Sequence, residues 1–187
     1  MNMKTEYRLA HALKDLMAEK KTLDEISVTL LTKKCKVNRQ TFYYHFHDIY
    51  DLLTLVFLNE EIPNSKESKN HRELLEKIFE YYKKNANFLD SVLESAGKDL
   101  FVEFINNTCY QYFLRYIALN DHEKLITVSE RRGIARLAAS AFAYNITFYF
   151  QNSKRKTLDG LLGNFICLSD NFLVKAMQNT VKNRKKK

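Results

Sequence analysis

The stretch from Thr22 to Leu53 constrains the fold of this chain more than any other. It begins with an apolar pattern at Ile26, Leu30 and Leu31, which predicts one short amphipathic helix. The polar run KKCKVN then interrupts the pattern, and Asn38 is suited to cap a second short helix that starts with RQTFYYHF. Two short helices joined by a tight polar connection are the layout of a helix-turn-helix.

The whole chain favours helices. Its 187 residues include only 4 glycines and 1 proline, too few for a sheet with many tight turns. Apolar residues recur three and four positions apart in most of it. We therefore predict an all-α protein, in which a small N-terminal three-helix unit precedes a larger helical body.

Periodicity and capping residues predict where the helices lie. In the N-terminal part we expect helices over about 5–20, from Ser27 or Thr29 onward, from Asn38 onward and over 48–58. In the body we expect helices over about 71–84, 87–94, 99–119, 122–152, with a disturbance near Gly133, and 157–180. We predict two domains, residues 1–47 and residues 48–187, connected by the helix over 48–58.

The positive charge lies at the two ends of the chain. The formal net charge is +8, and residues 1–47 hold 9 Lys/Arg against 5 Asp/Glu. Residues 48–181 are nearly neutral, and residues 182–187 add 5 basic groups. A basic N-terminal unit on a neutral body suggests a polyanionic partner. The tail NRKKK is either a solvated end or an arm that contacts DNA.

Hydropathy and cysteine content indicate the compartment. No apolar run reaches the length of about 18 residues that a membrane helix needs, and charges interrupt the N-terminus. We expect a soluble, cytoplasmic protein with no membrane partner. Cys35, Cys109 and Cys167 are scattered and lack zinc-ligand spacing, so we interpret them as reduced structural thiols.

The second helix of the motif carries side chains that can bind DNA. A recognition helix presents its N-terminal residues to base edges in the major groove, and here these begin with Asn38. Arg39 can donate two hydrogen bonds to guanine, and Gln40 can pair with adenine. Hydroxyl and imidazole groups that can bind phosphates follow at Thr41, Tyr44 and His45, with Tyr43 between them. Phe42 and Phe46 would face inward with Val37, Leu31 and Leu13. The alternative is an ordinary surface helix with half-buried aromatic residues.

The segments ISV, LLTKKCKVNRQTFYYHF and HDIYDLL follow one another between Ile26 and Leu53. With the helix before them they resemble the DNA-binding signature of TetR/AcrR-type transcriptional regulators, over about residues 5–57. The run NRQTFYYHFHDIYDLL is further similar to the subgroup typified by the dihydroxyacetone kinase operon activator. The resemblance implies that three helices bind DNA and that the C-terminal helices bind a ligand and dimerise.

The resemblance also implies roles for single residues. Base contacts are implied for Arg39, Gln40 and Tyr43. Phosphate contacts are implied for Ser27, Thr29, Lys36, Thr41, Tyr44 and His45. Lys36 stands where many members have the turn glycine, so the turn must accommodate a side chain or a slightly different backbone. Ile49 stands where many have a phosphate-binding lysine, and that contact is either absent or supplied by His47.

The body is rich in aromatic residues, which usually form core. As a set they could also line an apolar pocket for a small apolar or aromatic effector. We expect such a site first at Phe104, Phe113, Phe142, Asn145 and Tyr149. Asn145 is the most informative of these, because a side-chain amide in an apolar stripe needs a hydrogen-bond partner, either within the protein or on a ligand.

Two helices of the body are candidates for self-association. Small side chains at Ala135, Ala138, Ala139 and Ala141 permit close helix approach, and the last helix has a wide apolar face. The resemblance implies a homodimer with a four-helix interface. Its two-fold symmetry would match a palindromic operator in double-stranded DNA.

We find no catalytic motif, and we predict neither enzyme activity nor a cofactor. His45 and His47 lie two residues apart and would point to different faces of a helix, so we predict no metal site. His11, His71 and His122 are expected on solvated faces. The prediction is thus a DNA-binding transcriptional regulator controlled by an effector. The alternative is a helical small-molecule carrier or protein-interaction module that does not bind DNA.

Overall fold

The computed structural model describes residues 3–19, 21–165 and 172–184. These residues form α-helices and short 3-10 turns and contain no strand, which confirms the all-α prediction. The helices are α1 (Met3–Ala18), α2 (Val28–Cys35), α3 (Arg39–His45), α4 (Ile49–Leu58), α5 (His71–Lys84), α6 (Ala86–Leu93), α7 (Lys98–Asn120), α8 (Val128–Asn152), α9 (Leu158–Gly163) and α10 (Phe172–Arg184). The 3-10 turns lie at Leu23–Glu25 and Ser65–Glu67.

Capping side chains fix the starts of the N-terminal helices. The Ser27 hydroxyl oxygen accepts a hydrogen bond from the backbone N–H of Leu30 at 3.1 Å. Asp48 Oδ1 accepts one from the backbone N–H of Asp51 at 2.8 Å. Such caps satisfy amides that have no partner within the helix. The predicted starts of α2 and α4 are therefore confirmed.

The chain forms two compact units. Unit 1 comprises Met1–Glu60 and Tyr82–Phe104, and unit 2 comprises Glu61–Tyr81 and Ile105–Lys187. Unit 1 thus contains the helix-turn-helix together with α1, α4 and α6. The functional division of the chain at residue 47 stays a prediction.

In unit 1, α1 packs against α2, α4 and α6. Its apolar stripe at Leu9, Leu13, Leu16 and Met17 is buried. The ring of Phe57 on α4 lies 6.0 Å from that of Phe88 on α6. These contacts bury large apolar side chains from four helices in one core, which is the main stabilising term for so small a unit.

In unit 2, the core is built from α7 and α8, and α10 packs against α8. The rings of Phe113 and Phe142 meet edge to face with centroids 4.9 Å apart. Phe165, beyond the end of α9, lies 4.5 Å from Phe142. The loop before α5 is held by Lys77, whose ammonium donates to the Asn64 carbonyl at 2.9 Å.

Three helix predictions for the body need correction. The predicted helix over 122–152 starts only at Val128. Asp121 accepts hydrogen bonds from the backbone N–H groups of Leu125 and Ile126, and these bonds hold the segment before Val128 in a loop. The helix then continues through Gly133 undisturbed. The predicted helix over 157–180 ends at Gly163, and α10 is a separate helix; Ile166 and Cys167 lie outside the described residues.

The alanines proposed for self-association also need correction. Ala135, Ala138 and Ala139 are buried within unit 2 and are therefore not available to a second subunit. Ala141 is exposed. No helix among the described residues combines the length and apolar character needed to span a membrane.

Candidate nucleic-acid interface

Helix α3 has one buried and one exposed face. Phe42 and Phe46 are buried, as are Leu31 and Leu13, and Val37 is half-buried. On the opposite face, Tyr43 is 51% exposed and Tyr44 is 85% exposed. The predicted inward-facing pair is confirmed. Because α3 has only seven residues and could not persist alone, this packing maintains it.

The start of α3 is capped by Asn38, as predicted. Asn38 Oδ1 accepts hydrogen bonds from the backbone N–H of Thr41 at 2.7 Å and from the Thr41 hydroxyl at 2.8 Å. A hydroxyl has one hydrogen to donate, and a phosphate can only accept. In this arrangement Thr41 therefore stabilises the cap and has no hydrogen left for a phosphate.

The turn between α2 and α3 contains Lys36 in the left-handed region, with φ 53° and ψ 44°. Its backbone N–H donates to the Lys33 carbonyl at 3.2 Å. The position therefore has the backbone of a turn glycine but carries an exposed, positively charged side chain. Such a conformation costs about 1 kcal/mol for a residue with a Cβ.

The first turn of α3 presents Arg39 and Gln40 to solvent. The Arg39 guanidinium carbon lies 5.9 Å from the centre of the Tyr43 ring, one turn further along. This cation–π contact limits the directions that the guanidinium can take. Arg39, Gln40 and Tyr43, for which base contacts are expected, thus share one exposed surface.

Other residues with expected phosphate contacts surround this helix. Ser27 and Thr29 at the start of α2 are exposed, and so is His47 between α3 and α4. The Ser27 oxygen is an acceptor in its cap, so its hydroxyl hydrogen can be donated to another group. Ile49, at the position of the family lysine, is half-buried at the first turn of α4.

His45 lies in a different environment from the one expected for a phosphate ligand. Its side chain is only 8% exposed, and Nδ1 lies 3.0 Å from Glu6 Oε1 of α1. The edge of the Tyr44 ring packs against it, with centroids 5.1 Å apart. Sequence spacing indicates nothing of this contact, because Glu6 precedes His45 by 39 residues.

A model of a protein family, described as the C-terminal region of TetR transcriptional regulators, matches residues 69–165. The match covers more than half of the chain. The chain belongs to the TetR family of transcriptional regulators. The residues that decide this lie in the C-terminal part, whereas the resemblance seen in the sequence was carried by the N-terminal motif.

Among solved structures, this TetR-family regulator is similar to the dihydroxyacetone kinase operon activator DhaS. The two share 22% sequence identity with a TM-score of 0.60, over 95% of this chain and 98% of that chain. At this identity the likeness shows a shared fold. No curated protein sequence is significantly similar to the regulator.

The five residues predicted to bind an effector lie in different local environments in the regulator. Phe104 belongs to unit 1, where its ring lies 5.7 Å from that of Phe57. Asn145 is exposed on α8 and donates to the Ala141 carbonyl at 2.8 Å, so its amide is satisfied by its own helix. Tyr149 holds the segment after α8 through its hydroxyl, which bonds both the N–H and the carbonyl of Thr157 at 2.8 Å. The rings of Phe113 and Phe142 are in contact, with centroids 4.9 Å apart.

The expectation that His71 lies on a solvated face is wrong. His71 is only 6% exposed, and its Nδ1 lies 2.8 Å from the Tyr112 hydroxyl. The rings of Phe113 and Phe142 lie 5.5 and 5.7 Å from the imidazole. The spacing of His71 from Leu74, Leu75 and Ile78 on the buried face of α5 could have revealed this.

The described thiols and candidate metal ligands form no further site. Burial raises the pKa of the Cys35 thiol and strongly raises that of Cys109. Both thiols are buried and unpaired by disulfides. Among the described residues, no group of histidines, cysteines and carboxylates is arranged to hold a metal ion.

Proposed function

We propose that this regulator binds operator DNA through α3, as a homodimer whose affinity for DNA depends on an effector. The observation that carries the proposal is the division of α3 into two faces. Phe42 and Phe46 anchor one face, and the other exposes Arg39, Gln40 and Tyr43, whose types suit base edges. An ordinary surface helix would not need this set of exposed aromatic and amide side chains.

The proposed contacts fall into two classes. Arg39, Gln40 and Tyr43 read bases, and phosphates are bound by Ser27, Thr29, Lys36, Tyr44 and His47. Asn38 and Thr41 support the helix start through the cap. Phosphate contacts supply affinity for any duplex, and base contacts supply the preference for one sequence.

The proposal of a homodimer is supported by an exposed apolar stripe on α8. Leu137, Tyr144 and Phe148 are exposed large apolar residues, and Ala141 is exposed between them. They are spaced by four, three and four residues, which places them on one face of the helix. Apolar patches of this kind mark interaction surfaces.

The order of side chains along the stripe fits a second copy of the same helix. If two copies of α8 cross in antiparallel fashion about a two-fold axis between Phe142 and Ala143, Leu137 meets Phe148 and Ala141 meets Tyr144 of the other copy. A small side chain then faces a large one, and Ser140 faces Asn145. Self-complementarity of one surface is what a two-fold interface requires.

The proposed effector control is supported by the interior of unit 2. There the His71 and Tyr112 side chains form a polar pair among aromatic rings that include Phe113 and Phe142. A mainly apolar site with a few polar groups is typical for small ligands. An effector would have to bind the two arrangements of the dimer unequally, because equal affinity shifts no population.

Selection from a random-sequence pool tests the DNA-binding proposal. Duplexes retained by the purified protein should converge on a palindromic sequence. Affinity for the selected duplex should fall steeply between low and moderate salt, because bound lysine and arginine side chains release counterions from DNA. A pool that stays random, with no duplex binding at low salt, contradicts the proposal and favours a carrier or interaction module.

A further inference from the structure

Glu6 and His45 join the first turn of α1 to the last residue of α3. Nδ1 of His45 lies 3.0 Å from Oε1 of Glu6, with 8% of the histidine side chain and 21% of the glutamate side chain exposed. A carboxylate only accepts hydrogen bonds, so Nδ1 must carry the hydrogen. Glu6 also lies at a helix N-terminus, where the helix dipole favours its negative charge.

This hydrogen bond restricts what else His45 can do. A neutral imidazole with its hydrogen on Nδ1 has a lone pair on Nε2, and that nitrogen cannot donate to a phosphate. A phosphate contact would therefore require the doubly protonated ring. The low exposure of the side chain also leaves little surface for a DNA backbone to reach.

The bond matters for α3 because this helix is short. Phe42 and Phe46 fix which face of α3 is inward, but apolar packing tolerates small rotations and shifts. A directional hydrogen bond between partly buried groups at the C-terminal end restricts those movements.

We propose that Glu6 and His45 are a positioning pair, which holds the C-terminal end of α3 against α1 and so sets the orientation at which Arg39 and Tyr43 meet base edges. Neither residue touches DNA. The inference rests on the proposed DNA-binding function and adds α1 to the parts that determine it.

Removal of the Glu6 carboxylate distinguishes a positioning role from a purely electrostatic effect on DNA affinity. Glu6 carries a negative charge in a DNA-binding unit, so electrostatics alone predicts that Glu6→Ala binds every duplex more tightly. Positioning predicts the opposite sign for the selected duplex. We expect Glu6→Ala to bind the selected duplex roughly tenfold more weakly and an unselected duplex of the same length no more weakly than the wild type does. Asp24→Ala, which removes an exposed carboxylate from the same unit, is the matched control and should not weaken binding.

Two substitutions of His45 distinguish which ring nitrogen matters. The amide nitrogen of an asparagine can occupy the region of Nδ1, whereas that of a glutamine reaches the region of Nε2. We expect His45→Asn to keep the affinity for the selected duplex within about threefold and His45→Gln to lose roughly tenfold. The reverse order would show a phosphate contact through Nε2 and overturn the positioning role.

The experiment measures fluorescence anisotropy of labelled duplexes, with thermal unfolding of each variant as the check on folding. If Glu6→Ala is unfolded at the assay temperature, the comparison of His45→Asn with His45→Gln decides. Equal or tighter binding of the selected duplex by folded Glu6→Ala overturns the positioning pair alone. A wild-type protein that binds no duplex overturns the proposed function itself.

Discussion

Asn38 Oδ1 accepts two hydrogen bonds from Thr41, one from its backbone N–H at 2.7 Å and one from its hydroxyl at 2.8 Å. Both residues therefore serve the start of α3, although the sequence suggests that Thr41 binds phosphate. A cap of this kind contributes about 1 kcal/mol to stability.

Asn38→Ala should lower the free energy of unfolding by about 1 kcal/mol, because the N–H of Thr41 loses its acceptor. Asn38→Asp should retain most of that stability, since a carboxylate caps equally well and favours a helix N-terminus. Urea unfolding followed by circular dichroism measures both. Equal stability of the wild type and Asn38→Ala would show that the cap contributes little.

Substitutions of Lys36 should separate backbone strain from charge. Lys36→Gly should raise the free energy of unfolding by about 1 kcal/mol, because glycine adopts φ 53° without a Cβ penalty. It should also weaken binding to all duplexes alike, since the ammonium that we propose to bind phosphate is lost. Lys36→Ala is the control, as it removes the charge but keeps the strain. If Lys36→Gly is less stable than Lys36→Ala, the turn does not adopt the left-handed conformation.

A charge on the stripe of α8 should prevent dimer formation. Leu137→Glu should yield monomers in analytical ultracentrifugation, because a buried, unpaired carboxylate costs several kcal/mol in an apolar interface. Leu58→Glu on α4 is a matched control, because Leu58 and Leu137 are both 77% exposed. Addition of Phe148→Lys to Leu137→Glu should partly restore the dimer if these positions face each other across the axis. Dimers formed by Leu137→Glu alone would contradict the proposed interface.

The buried thiols should be unreactive in the folded protein. The thiolate is the nucleophile, and burial raises the pKa values of Cys35 and Cys109 so that little thiolate forms near neutral pH. In a Cys167→Ser background, a disulfide reagent should label neither thiol in buffer and both in denaturant. Rapid labelling of the folded protein at neutral pH would contradict the burial of these side chains.

Local rules were sufficient to predict the first half of the fold. Ser27, Asn38 and Asp48 cap their helices. Each is a short polar residue directly before a segment with helical spacing of apolar residues, and such a residue can accept a hydrogen bond from a free N–H of the first turn. The inward position of Phe42 and Phe46 follows from the helical repeat. These features depend on residues within one or two turns of each other, so the sequence alone is adequate.

The errors concern side chains whose role depends on distant parts of the chain. The contact of His45 with Glu6 was missed because Glu6 lies on another helix, 39 residues earlier. Ala135 and Ala139 were predicted to face a second subunit, but they are buried in the core of unit 2. Asn145 was expected within an apolar stripe, but it is exposed and donates to its own helix. Periodicity shows which residues share a helix face, but in a helix such as α8, with apolar side chains on two faces, it does not show which face is inward.

The affinity of Arg39→Ala for DNA tests the central claim most directly. If Arg39 reads a base, this variant should lose about 1 to 3 kcal/mol of binding free energy on the selected duplex and little on an unselected one. Tyr44→Phe is the comparison and should weaken both duplexes modestly, as expected for a phosphate contact. An Arg39→Ala protein that binds the selected duplex as tightly as the wild type would contradict recognition of DNA through α3.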